Sequence, residues 1–209
     1  MPSIVHGSRR SIRLARYDYS QSGFYFFTIC LLGHKSILGR ILGYQMECTP
    51  AGNAVWGIWN TLPARFPAIE LDTFIVMPNH VHGILFLRPP AKNMGGASPV
   101  PTRSTSARRG DPRVAPSGCP VRHNPGPLTL GQIIGAFKSL SAIAVNLVLH
   151  RTGPLWQRNY YEHIVRSPSD LDSIRLYISR NPAQWQNDRE NPLARNPEPY
   201  PFKTFSGFE

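Results

Sequence analysis

A proline-rich segment in the middle of the chain limits what the rest can fold into. Residues 89–127 hold nine of the 21 prolines, together with many glycines and serines, and they show no apolar periodicity. Such a composition buries too little apolar surface to offset the entropy of ordering it. We therefore predict a disordered Pro/Gly/Arg-rich insertion at 89–127 and one domain formed by 23–88 and 128–192. A basic arm at 1–22 and a tail at 193–209 flank that domain.

Charge and apolar pattern narrow the class of protein. The 209 residues include 23 Lys and Arg against 12 Asp and Glu, a net charge of +11, which favours an anionic partner such as nucleic acid. The longest apolar run, 24–32, is shorter than the roughly 20 residues of a membrane helix, so we expect no membrane partner. Three scattered cysteines provide neither a disulfide framework nor a Cys-x-x-Cys metal knuckle. These features favour a cytoplasmic protein.

The apolar patterns predict seven elements, in the order strand, helix, strand, strand, helix, strand, helix. The predicted strands are 24–31, 69–77, 80–87 and 155–165, and the predicted helices are 49–62 (closed by Pro63), 130–148 and 168–180. The first six elements match the βαββαβ order of a ferredoxin-like fold, an α+β class with a four-stranded antiparallel sheet. The last helix is additional to that unit, and Asn181-Pro182 is expected to end it.

Two polar pairs are candidates for chemistry. His80 and His82 are two residues apart on a predicted strand, so both imidazoles point to the same face at a spacing that suits one metal ion. This pattern also occurs in many unrelated hydrolases. Tyr177 and Asn181 share a face of the last helix, at the margin of its buried stripe. Edge packing by the tyrosine and helix capping by the asparagine are the simpler interpretation of that second pair.

Two blocks of sequence carry a family resemblance. The first is Phe74-Ile75-Val76-Met77-Pro78-Asn79-His80-Val81-His82-Gly83-Ile84, and the second is 155–166 followed by Tyr177-Ile178-Ser179-Arg180-Asn181-Pro182. Ser11-Ile12-Arg13-Leu14 and Tyr17-Asp18-Tyr19 agree with them. Together they resemble the HUH-type single-tyrosine transposases, the TnpA-like enzymes of small insertion sequences and their REP-associated relatives. The resemblance covers most of 10–88 and 128–192.

The resemblance implies a fold, a site and an activity. The fold is ferredoxin-like, with an extra C-terminal helix that carries the nucleophile Tyr177. His80, His82 and Asn181 would bind Mg²⁺ or Mn²⁺. The activity is that of a metal-dependent single-stranded DNA endonuclease and strand transferase, which forms a 5′-phosphotyrosine on hairpin-containing DNA in the nucleoid. Some members of this group are homodimers, which is therefore a possible state here.

Arginines interleaved with aromatic rings are suited to single-stranded DNA, because guanidinium groups hold phosphates and bases stack on rings. The predicted DNA contacts are Arg9, Arg10, Arg13, Arg16, Tyr17, Tyr19, Lys138, Arg158, Tyr160, Tyr161 and Arg166. Tyr160 and Tyr161 are also rivals of Tyr177 for the role of nucleophile, although we place them on the preceding strand.

Two other functions remain open. A non-catalytic protein on the same fold would bind hairpin DNA without cutting it, and the presence of both histidines and Tyr177 weighs against it. A metal-dependent phosphohydrolase would use His80 and His82 without a covalent intermediate. Its activity would survive Tyr177→Phe.

Overall fold

The computed structural model describes residues 14, 17–89, 127–195 and 197. Most of the predicted insertion, of the basic arm and of the tail lies outside these residues, as do Arg9, Arg10, Arg13 and Arg16. In chain order the elements are β1 (Gly23–Cys30), a 3₁₀ turn (Leu32–His34), β2 (Gly39–Leu42), β3 (Gln45–Cys48), α1 (Pro50–Arg65), β4 (Ile69–Val76), β5 (His80–Leu87), α2 (Leu130–Val148), β6 (Tyr161–Ile164), α3 (Pro168–Arg180) and a 3₁₀ helix (Asn181–Asn187).

The main sheet has four antiparallel strands in the order β4-β5-β1-β6. This confirms the prediction of an α+β protein with a four-stranded antiparallel sheet. β1 and β5 are the central strands, and both are buried over most of their length. Their aromatic and β-branched residues explain this position, because such side chains pack well on a pleated surface that is covered on both sides.

Different helices pack against the two faces of the sheet. Tyr25, Phe27 and Ile29 of β1 point into a large apolar cluster with α1 and α2, which we call the α1/α2 face. The alternate residues point the other way, where Phe26 packs with Ile84 and with α3; this side we call the α3 face. The alternation follows from the period of two along a strand.

A polar side chain caps the start of each of the three α-helices that the described residues form. The Thr49 hydroxyl accepts a hydrogen bond from the backbone N–H of Gly52, and Ser167 does the same for Asp170. Thr129 and Gln132 form a reciprocal capping box at the start of α2. Each cap satisfies backbone donors that have no partner within the helix.

Two predictions about the elements were wrong, and one hairpin was not predicted. The first helix continues past Pro63 to Arg65, because a proline in the last turn removes only one internal hydrogen bond. The strand predicted at 155–165 is reduced to β6, and Trp156 forms only an isolated bridge with Leu31. The β2–β3 hairpin was not predicted. Its turn places Tyr44 at a positive φ of 68°, where glycine or asparagine is the usual signal.

One described helix, α2, has the length and mean hydropathy that a membrane-spanning helix needs. Length and composition alone do not distinguish such a helix from a core helix. The apolar stripe of α2, which includes Ile133, Ile134 and Phe137, is buried in the cluster on the α1/α2 face.

Candidate functional site

Two buried histidines lie side by side on the α3 face. His80 and His82 are both 0% exposed, and their Nε2 atoms are 2.9 Å apart. β5 holds them there because its antiparallel pairing with β1 sets Thr28 opposite His82 and Cys30 opposite His80. The spacing that sequence alternation predicted is therefore present in the fold.

Neighbouring side chains orient both rings. The Asn79 amide N–H group donates to the backbone carbonyl of Glu190 at 2.6 Å, so its Oδ1 must face His80 Nδ1, 2.8 Å away. Because that oxygen only accepts, His80 carries its proton on Nδ1 and keeps a lone pair on Nε2. The Thr28 hydroxyl lies 2.8 Å from His82 Nδ1. A hydroxyl can donate or accept, so His82 can adopt the tautomer that a ligand at Nε2 requires.

A carboxylate from the far end of the chain completes the cluster. Asp188 follows the 3₁₀ helix (Asn181–Asn187), and its Oδ2 lies 4.0 Å from His80 Nε2. One ligand atom from each of His80, His82 and Asp188 lies within 4.8 Å of the others, and all three residues are buried. Two imidazole nitrogens and a carboxylate oxygen form a mixed donor set that suits a divalent transition ion such as Mn²⁺.

Asn181, the third predicted metal ligand, lies close to this cluster and is bonded to one of its members. Its Nδ2 donates to Asp188 Oδ2 at 3.0 Å, which holds the carboxylate in place. Its Oδ1 is buried and has no hydrogen-bond partner among the described residues. A buried oxygen without a partner is costly unless something binds it. A bound cation would give this oxygen a partner. The residues present therefore fit a metal ion.

Tyr177 projects from α3 toward the histidines. Its hydroxyl oxygen lies 3.4 Å from His82 Nε2, and the two rings are 5.3 Å apart in an edge-to-face arrangement. Leu171, Ile174 and Ile178 fix the helix by packing on the α3 face. An ion pair between Arg175 and Asp72 ties the same helix to β4.

The burial of the site sets its protonation. Burial lowers the pKa of His80 and takes that of His82 well below the usual range, which keeps both rings neutral and available as ligands. Burial also raises the pKa of Tyr177, and the carboxylates of Asp188 and Glu190 raise it further. The phenol is therefore protonated at neutral pH.

The predicted DNA-contact residues divide between different parts of the molecule. The Tyr161 ring lies on the α3 face, 6.2 Å from Phe26, whereas Tyr160, Tyr17 and Tyr19 pack on the α1/α2 face. The structure thus brings only Tyr161 of these four to the side of the candidate site.

Among the predicted basic contacts, Lys138 is already engaged. Its ammonium group donates to the backbone carbonyls of Gln157 at 2.6 Å and Arg158 at 2.8 Å, and it reaches that of Asn159 at 3.5 Å. The three N–H groups of this ammonium all point to carbonyls of one loop, which leaves none of them for a phosphate. The side chains of Arg158 and Arg166 are exposed.

Sequence reasoning missed Asp188 and Glu190. Glu190 Oε2 accepts from the Cys30 thiol at 3.1 Å and lies 3.9 Å from His34 Nδ1, so this carboxylate also faces the site. Both acids belong to the short run Asn187-Asp188-Arg189-Glu190. That run was the available signal, but nothing in its spacing relates it to His80.

Comparisons with solved structures find low similarity to two proteins. One is a REP-associated tyrosine transposase bound to a REP hairpin, with 16% identity, a TM-score of 0.48, and coverage of 83% of this chain and 74% of that one. Another is described as a transposase of Deinococcus radiodurans, with 16% identity, a TM-score of 0.40, and coverage of 80% and 95%. No protein-family model matches the sequence.

A curated relative is much closer in sequence. An uncharacterised protein of Haemophilus influenzae is 35% identical over 184 residues, which cover 87% of this chain and 92% of the relative. Identity at this level over nearly the whole of both chains reflects common descent. The chain belongs to the same family as this Haemophilus influenzae protein.

Proposed function

We propose that the protein is a metal-dependent, single-stranded DNA endonuclease and strand transferase that acts through a 5′-phosphotyrosine on Tyr177. The observation that carries this proposal is the 3.4 Å approach of the Tyr177 hydroxyl to His82 Nε2, inside the cluster of His80, His82 and Asp188. A nucleophile beside a candidate cation site is the arrangement that phosphoryl transfer needs.

The strand order and the sequence blocks support the finer assignments. The order β4-β5-β1-β6, with α1 and α2 on one face, is consistent with a ferredoxin-like βαββαβ unit to which α3 is added. We take hairpin-containing DNA as the substrate from the resemblance of the two sequence blocks to HUH-type single-tyrosine transposases. The net charge of +11 is in keeping with a polyanionic substrate.

In the proposed reaction each residue has a defined task. His80, His82 and Asp188 would hold a Mg²⁺ or Mn²⁺ ion, and Asn181 either adds its free Oδ1 or only orients Asp188. When bound, the ion polarises the phosphodiester and screens its negative charge.

Tyr177 supplies the bond-forming atom. Its oxygen attacks phosphorus in line and loses its proton, the bond from phosphorus to the 3′-oxygen breaks, and that oxygen leaves as a free 3′-hydroxyl after taking up a proton. The phosphate stays esterified to Tyr177, so a second 3′-hydroxyl can reverse the step and join strands.

A denaturing-gel assay tests this proposal. The protein is mixed with single-stranded hairpin oligonucleotides taken from the DNA that flanks its gene, with and without Mn²⁺ or Mg²⁺. We expect a metal-dependent, SDS-resistant adduct that carries the 5′ phosphate and disappears in Tyr177→Phe and His80→Ala. Tyr160→Phe and Tyr161→Phe are matched controls and should keep the adduct.

Other outcomes would favour the competing functions. Cleavage without an adduct, preserved in Tyr177→Phe, would identify a phosphohydrolase. Binding of the hairpin without cleavage in any metal would identify a non-catalytic DNA-binding protein.

A further inference from the structure

A cleft lies next to the candidate metal site, on the C-terminal side of α3. It has a volume of about 580 Å³, and its walls include Ser36, Trp185, Gln186, Asn187, Asn191 and Arg195. This volume falls within the range of sites that bind small organic molecules. None of the residues that line it is acidic.

Trp185 connects the cleft to the site. Its ring lies 6.1 Å from that of His80 at an interplanar angle of 30°, so the two rings are stacked. The side chain is only partly buried, and it also lines the cleft. A group bound against Trp185 on the cleft side is therefore separated from His80 by one aromatic ring.

Residues in the wall of the cleft are hydrogen-bonded to one another and to Asp188. The Trp185 backbone carbonyl accepts from the Asp188 N–H at 3.2 Å and from the Asn191 side-chain amide at 2.9 Å, and Asn191 Oδ1 accepts from the Leu193 N–H at 3.0 Å. The turn that carries the candidate ligand Asp188 thus also carries the aromatic wall. This shared turn fixes the distance between the cleft and the ion.

The lining chemistry matches one unpaired nucleotide. An aromatic ring stacks a base, the amides of Gln186 and Asn187 can pair with a base edge, and the exposed Arg195 guanidinium can hold a phosphate. We infer that this cleft is a subsite for a single unpaired nucleotide next to the scissile phosphate. The inference rests on the proposed function, since it takes the phosphate to lie at the ion.

Fluorine NMR tests the subsite without cleavage. Protein labelled with 5-fluorotryptophan has one resonance for each of its four tryptophans, which Trp→Phe variants assign. In metal-free buffer it is titrated with a DNA hairpin that carries a single-stranded flank of four deoxyadenosines, and with the same hairpin whose flank is abasic. We expect the Trp185 resonance to shift with the first DNA and not with the second. The resonance of Trp56, which is 55% exposed on α1, should move with neither.

Two variants measure what the cleft contributes to affinity. Trp185→Ala should weaken binding of the adenosine-flanked hairpin by roughly tenfold and leave that of the abasic hairpin unchanged. Arg195 is exposed, so Arg195→Gln is expected to leave the fold intact. It should weaken binding of both hairpins and lower the slope of log affinity against log salt concentration by about one. Trp56→Ala is the matched control and should change neither affinity.

Equal responses to both hairpins, or an unmoved Trp185 resonance, would overturn the subsite. The adduct assay is run on the same preparation, so the two proposals fail separately. An adduct that forms while Trp185 does not respond refutes the subsite alone. A base-dependent Trp185 response without any adduct refutes the catalytic function and leaves a nucleotide-binding cleft.

Discussion

The two faces of the sheet are built from the same strands and have opposite characters. On the α1/α2 face, β1 and β5 contribute only apolar and aromatic side chains to a large cluster. On the α3 face, Phe26 and Ile84 form a much smaller cluster, and Thr28, His80 and His82 are buried beside it. One face holds the fold together, whereas the other holds polar groups where water is excluded.

This division has a physical basis. A buried polar group costs free energy unless it is hydrogen-bonded, and the rings of His80 and His82 are bonded to Asn79, to Thr28 and to each other. The apolar face holds fewer such groups, and there the Trp156 indole N–H is bonded to the Ser141 hydroxyl. We therefore expect substitutions on the α1/α2 face to change stability, and substitutions on the α3 face to change metal binding.

The largest expected effect is on the apolar face. Phe137 is fully buried, with its ring about 6 Å from those of Trp59, Phe74 and Trp156. Phe137→Ala should lower the free energy of unfolding by about 3–5 kcal/mol in urea denaturation, because it leaves a cavity. Ile143→Ala, at a residue of the same helix that is 67% exposed, should change it by less than about 0.5 kcal/mol. A loss of Mn²⁺ affinity in still-folded Phe137→Ala would contradict the independence of the faces.

A smaller effect is expected at Gly83, which adjoins the histidines in sequence but serves the opposite face. A Cβ here would lie 2.5 Å from Phe27 Cζ and 2.9 Å from Phe74 Cδ2. Gly83→Ala should therefore destabilise the fold by about 1–3 kcal/mol in urea denaturation, through overpacking. Gly135→Ala is the matched control: its Cβ would meet nothing within 4 Å, so it should stabilise α2 by up to about 1 kcal/mol. If Gly83→Ala instead spared stability and weakened metal binding, the glycine would belong to the site.

Thr28 tests the polar face. Thr28→Val keeps the shape of the side chain and removes the hydroxyl that bonds His82 Nδ1. We expect Mn²⁺ affinity, measured by calorimetry, to fall by about 10–100-fold, because the ring loses the partner that holds its orientation. Thr28→Ser should restore most of it. An unchanged affinity in the valine variant would show that the hydroxyl does not orient the ligand.

The smallest effect is expected for the ion pair between Arg175 and Asp72, which joins α3 to the edge strand β4. The Arg175 guanidinium holds the pKa of Asp72 below its ordinary value, so the ion pair stabilises the fold above about pH 4 and this contribution is lost as pH falls further. Asp72→Asn should lower the free energy of unfolding by about 0.5–1 kcal/mol at pH 7, discounted because Arg175 is partly exposed. The difference from the unsubstituted protein should shrink by pH 3.

The control for that pair is Glu70→Gln. Glu70 pairs with Arg88 in an arrangement in which both side chains are about half exposed, so the loss should be smaller still. A difference for Asp72→Asn that is the same at pH 7 and pH 3 would show that charge is not its cause.

Local patterns were informative wherever structure depends on near neighbours in sequence. The alternation around His80 and His82 placed both on one face, and the caps Thr49 and Ser167 marked the starts of α1 and α3. The patterns failed where a contact between residues distant in sequence outweighed the local preference. Residues 155–160 ahead of β6 are predicted to continue this strand, yet Trp156 forms only a bridge with Leu31, and its indole N–H donates to the Ser141 hydroxyl on α2 at 2.9 Å.

The sequence by itself determined the order of the three α-helices and the four strands of the main sheet, the common face of His80 and His82, and the basic character of the chain. Only the tertiary structure decided that Asp188 joins these histidines, that Asn181 holds Asp188, and that Tyr17 and Tyr19 lie on the other face. The reason is the range of each constraint. Periodicity relates residues within a turn or two, whereas the bond from Asn79 to the Glu190 carbonyl, which draws the C-terminal turn onto the site, spans 111 residues.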